Sequence, residues 1–107
     1  TDCNPGTCMS ENLLLMLTLG MSRLKMSPSE VLGAVTVAGA KAIGQEAKAG
    51  MLELGRPADV AVFDVASHTM LPYLMGRPHA LYVYKAGHLV YRRQDGVIKG
   101  WPDSACP

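Results

Sequence analysis

The stretch Gly50-Met51-Leu52-Glu53-Leu54-Gly55-Arg56-Pro57-Ala58-Asp59-Val60-Ala61-Val62-Phe63-Asp64 divides the chain in two. Upstream of it, apolar residues recur at helical spacing. From Ala58 onward they come in short β-branched and aromatic runs. Gly50 to Gly55 reads as a short extended piece between glycines, and Ala58 to Asp64 as a compact apolar strand closed by an acid. A loop containing Pro72, Gly76 and Pro78 follows. Ala80 to Tyr84 and His88 to Arg92 then read as two strands, joined through Lys85-Ala86-Gly87 as a hairpin.

Working back from the divide, the helices have clear signals. Ser27 is suited to cap a helix, Pro28 to its first position, and Glu30 completes a capping box. Val31, Val35, Ala38 and Ala42 follow on one face, and Gly44 is the natural stop. Small residues along this helix (Ala34, Ala38, Gly39, Ala40, Ala42) permit close packing on a neighbour. Glu11 to Lys25 reads as an earlier helix. Leu13, Leu14, Leu15, Met16, Leu17, Leu19, Met21 and Leu24 make it apolar on nearly every face, which calls for cover on more than one side. The first ten residues form a polar segment with a sharp turn at Asn4-Pro5-Gly6. The organisation is therefore helix, helix, small antiparallel sheet, with a boundary near Ala47 to Gly50 and a polar tail from Gln94.

The 107 residues carry ten Lys and Arg against nine Asp and Glu, and 49% of them are hydrophobic. That hydrophobic share excludes a disordered chain. The balanced charge, with no basic block, argues against a nucleic-acid partner or an acidic membrane surface. No apolar run is long enough for a membrane-spanning helix. Cys3, Cys8 and Cys106 are odd in number and irregular in spacing, so they read as reduced thiols of a cytoplasmic protein, not a disulfide framework. The chain opens Thr1-Asp2-Cys3-Asn4 with no initiating Met, and is expected to be a piece of a longer protein.

Few residues look chemical. Asp2 stands just before the Asn-Pro-Gly turn and ahead of a helix, where an α/β barrel places catalytic groups; it suits a metal ligand or general base, though by spacing alone a turn cap is the more frequent role. Asn4 could hold a polar substrate or simply close the turn. Gly6 lets backbone approach a ligand, and Thr7 offers a hydroxyl. His68, His79 and His88 are isolated, with no H-x-H or H-x-x-x-H pair. Asp59 and Asp64 bracket the compact strand and read as turn and strand-end residues. The seven Met read as core filler. No P-loop, G-x-G-x-x-G or G-x-S-x-G motif is present.

Thr1-Asp2-Cys3-Asn4-Pro5-Gly6-Thr7, followed by Leu13-Leu14-Leu15-Met16, resembles the loop after the last barrel strand of imidazolonepropionases. Gly50 to Asp59 is similar to the G-x-L-x-x-G-x-x-A-D stretch of the wider metal-dependent amidohydrolase superfamily, and Tyr73 to Gly76 and the hairpin match its ending. The resemblance runs from Thr1 to about Arg93. It implies an α/β chain that is the C-terminal end of a (β/α)8 TIM barrel (1–47), followed by the C-terminal strands of a small β-sandwich (48–93) and the tail (94–107).

The activity implied is hydrolysis of 4-imidazolone-5-propanoate to N-formimidoyl-L-glutamate in histidine degradation. On this resemblance Asp2 matches the aspartate that ligates the catalytic Zn2+ or Fe3+ and shuttles a proton. Asn4 and Gly6 match positions that hold the product, and Thr7 one that contacts the substrate. The other ligands, an H-x-H pair among them, are expected upstream of Thr1. This piece alone is thus expected to be inactive. Cys8-Met9-Ser10-Glu11 departs from the Ser-Pro-rich stretch common after the turn. A small-molecule substrate and a homodimer complete the expectations. The alternatives are another cyclic-amide hydrolase or deaminase of the superfamily, or a small non-catalytic domain binding a partner through its hairpin edge.

Overall fold

Asn12, rather than Glu11, opens the first helix, because its side chain accepts the Leu15 N–H (3.2 Å) and so satisfies a donor that a helix start leaves orphaned. The computed structural model describes residues 1–75 and 80–93. Helix α1 spans Leu13–Leu24. It ends where Lys25 turns left-handed (φ 57°) and the Met26 N–H returns to the Gly20 carbonyl at 3.2 Å.

The second helical run begins as the sequence predicts. Ser27 Oγ accepts the Glu30 N–H (3.3 Å), and Glu30 Oε2 accepts the Ser27 N–H (2.7 Å). The Ser27 backbone N–H, and after it the Ser27 side chain, hold the Glu30 carboxyl below its ordinary pKa. The run is not uniform, however. Helix α2 (Pro28–Gly33) passes into a π-helical turn at Ala34–Ala38 and resumes as α3 (Gly39–Ala42). Gly44 (φ 67°) ends it: its N–H bonds the Lys41 carbonyl, and the Gln45 N–H bonds the Ala40 carbonyl at 2.8 Å.

Glycine decides two close approaches. A Cβ on Gly20 would come within 2.7 Å of Val31 Cγ1, so α1 and α2 meet where α1 has no side chain. Gly50 (φ 91°) lies against the helical run, its Cβ position 2.9 Å from both the Thr36 carbonyl and the Ala40 methyl. The core is a cluster of Leu17, Val31 and Leu71, with Leu14, Met21, Met26, Val35 and Phe63 packed around it. Leu71 belongs to a segment expected as a plain loop. There the 3-10 turn His68–Met70, capped by Ser67, delivers Leu71 and Pro72 to the interior. Thr18 Oγ1 donates to the Pro72 carbonyl at 2.6 Å and ties this segment to α1. The core therefore draws on both sides of the expected boundary.

The sheet has the order β1-β2-β3, all antiparallel, from Val60–Phe63, Ala80–Lys85 and His88–Arg92. Registers Val60↔Tyr84 and Val83↔Tyr91 leave Leu81 and Val90 as extra residues at two bulges. Ala86 (φ 48°) and Gly87 (φ 80°) are both left-handed, the backbone of a two-residue type I′ hairpin. Asp59 secures that turn from the start of β1. Its carboxylate accepts the Ala86 N–H (2.8 Å) and pairs with Lys85 Nζ, while the Ala58 carbonyl accepts the Gly87 N–H (2.9 Å). Lys85, and then the Ala86 N–H, hold the Asp59 carboxyl below its ordinary pKa. At the other end Asp64 pairs with Arg93. The strand-end reading of both acids is the one observed.

Gly50 to Gly55 is not a strand. It carries a turn in which the Arg56 N–H bonds the Glu53 carbonyl (3.2 Å) and the Arg56 guanidinium bonds Glu53 (2.7 Å) and the Glu46 carbonyl. Its backbone has no neighbouring strand among the described residues, so local bonds take over. Trp101, Cys106, His79, Gly76, Pro78 and the whole tail lie outside the described residues. Among the described residues no helix is long and apolar enough to cross a membrane.

Leu17→Ala should destabilise the fold by about 2–5 kcal/mol, since it empties the centre of the core. Thermal and denaturant unfolding measure this. Ala86→Asn should stabilise the hairpin by a few tenths of a kcal/mol to about 1 kcal/mol, because asparagine tolerates the left-handed turn position better. The Asp59 carboxyl has a folded pKa below its unfolded one. Its stability contribution is therefore present above the unfolded value and is lost as pH falls from there through the folded value. The difference in melting temperature between wild type and Asp59→Asn should shrink over that acid range. A pH-independent difference would remove the ion pair from the account.

Candidate functional site

The Asn-Pro-Gly turn closes on itself. Asn4 N–H donates to the Cys8 carbonyl (2.7 Å) and Cys8 N–H to the Asn4 carbonyl (3.2 Å), an isolated antiparallel bridge. Pro5, with φ set by its ring, starts the reversal inside that bridge. The Asn4 side chain then fills the loop. Its Oδ1 accepts from the Gly6 N–H and the Thr7 N–H, both at 2.9 Å, and from the Thr7 hydroxyl at 3.2 Å. Its Nδ2 donates to the Thr7 hydroxyl (2.9 Å) and to the Asp2 carbonyl (2.6 Å). A Cβ at Gly6 would stand 3.2 Å from Asn4 Oδ1, so the carboxamide would have to give by a few tenths of an ångström to admit one.

The structure thus brings Asn4, Gly6 and Thr7 together in one hydrogen-bonded turn. Asp2 joins them through its carbonyl alone. Asp2 is exposed and left-handed (φ 50°), a conformation that non-glycine residues adopt at a cost and that aspartate tolerates better than most. Its carboxylate makes no hydrogen bond or ion pair among the described residues, so both oxygens are open to a ligand. No group of three or more His, Cys, Asp or Glu is assembled among the described residues. A cation held at Asp2 would need its other ligands from outside the described residues. Cys3, beside it, is an exposed free thiol, and Cys8 is a half-buried one.

One participant was not marked by its side chain. Cys8 closes the loop through backbone groups, which any residue could supply. The Asn4-to-Thr7 spacing was the available signal, since asparagine accepting N–H bonds two and three residues on is an Asx-type turn. Elsewhere, an open groove of about 500 Å3 runs between the helical run and β1, lined by Val35, Ile43, Met51, Val60 and Phe63 among others. No residue of the 1–12 segment borders it, and its apolar walls do not suit the polar chemistry of the loop.

The model of the Amidohydrolase family matches residues 1–100. A protein named imidazolonepropionase from Fusobacterium nucleatum is 44% identical over 93 residues, 87% of this chain and 22% of its own length. Another of that name, from Bacillus cytotoxicus, is 43% identical over 101 residues, covering 94% of this chain and 23% of the relative. A third, from Alkaliphilus metalliredigens, is 43% identical over 90 residues. The chain spans about a fifth of the length of these curated relatives. With a match over nearly all its residues, the chain belongs to the amidohydrolase family.

Proposed function

We propose that this chain is the C-terminal part of an imidazolonepropionase, the hydrolase that opens 4-imidazolone-5-propanoate to N-formimidoyl-L-glutamate in histidine degradation. The observation that carries the reading is the Asp2-to-Cys8 loop: an unpaired carboxylate at the edge of a self-closed Asn-Pro-Gly turn, in a chain over 40% identical to proteins of that name. In this reading residues 1–47 are the end of a (β/α)8 barrel, residues 48–93 the C-terminal strands of a β-sandwich, and 94–107 a tail. The exposed Leu13, Leu19 and Leu24 on α1 support it, because a helix at the rim of a larger barrel would have them covered. They leave surface for the rest of the enzyme or for a second copy in a homodimer. We place the enzyme in the cytoplasm, in keeping with its free thiols.

The reaction breaks a cyclic amide C–N bond. Asp2 would hold a Zn2+ or Fe3+ together with ligands outside this chain; such an ion lowers the pKa of bound water and polarises the carbonyl. The Asp2 carboxylate receives a proton from the attacking water and passes it to the leaving ring nitrogen. Thr7 retains one hydroxyl lone pair, and Gly6 its carbonyl, for polar contact with the ring and its propanoate. One carboxylate cannot replace three or four ligands, so the isolated chain would not turn substrate over.

In the full-length enzyme, Asp2→Asn should lower kcat by about 10²–10⁴-fold with the melting temperature unchanged. Loss of imidazolonepropanoate absorbance follows the rate. Near-normal turnover would remove Asp2 from the site and with it this assignment.

A further inference from the structure

We draw no further inference here: the strongest candidate, the open apolar groove between the helical run and β1, carries nothing, because nothing in the structure shows what covers it.

Discussion

Val31 sets its side chain where Gly20 has none, and most of the remaining packing follows from that contact. It lets α1 and α2 approach closely enough for Leu17 and Val31 to bury each other, and the space between them takes Leu71 as the third member of the core. Leu71 brings Pro72, whose carbonyl is held by Thr18, so the chain beyond the helices is anchored to α1. Phe63 at the end of β1 packs on the same cluster. Through it the sheet is joined to the helices. Burial is the dominant stabilising term, and here it is concentrated on a few residues: Leu17, Val31, Ala40 and Leu71 are the buried hydrophobic residues among those described.

A thin core of this kind explains why so much apolar surface remains. Leu54 is fully exposed, and Met9, Leu24, Ile43 and Leu52 are each more than 70% exposed. The chain spans about a fifth of the length of the curated relatives it matches, and in the enzyme proposed above the remainder would cover these faces. The candidate site does not share the dependence. The Asn4-to-Cys8 bridge and the Asn4 carboxamide hold the turn with bonds made entirely within residues 2–8. The loop thus has its own internal order.

The superfamily-like stretch at Gly50 to Asp59 has a structural explanation residue by residue. Gly50 passes against the helical run at the level of its π-helical turn, where any side chain would strike the Thr36 carbonyl or Ala40. Gly55 takes a left-handed turn position, and Arg56 binds back to Glu53 and Glu46. Ala58 and Asp59 hold the distant hairpin turn through a carbonyl and a carboxylate. An aspartate that in isolation suggests chemistry is therefore consumed by Lys85 and Ala86, whereas the aspartate at position 2 is not consumed at all.

The sequence by itself determined the parts whose chemistry is local. Ser27, Pro28 and Glu30 specify a helix start because the bonds they make reach only three residues. Asn4, Pro5 and Gly6 specify a turn for the same reason, and the Tyr- and Val-rich runs around Ala86-Gly87 specify a hairpin. Asp2 was legible as a candidate from its place before that turn, though not its left-handed backbone. Only the tertiary structure decided which loop enters the core, that Gly50 to Gly55 has no strand to pair with, and that the helix after Ser27 carries a π-helical turn. Leu71 and Pro72 lie more than fifty residues from Thr18 in the chain, and no local spacing marks them as its partners. Burial and close approach depend on what arrives from elsewhere in the chain. Caps and turns are completed by their own neighbours, and that difference in range separates what could be read from what had to be folded.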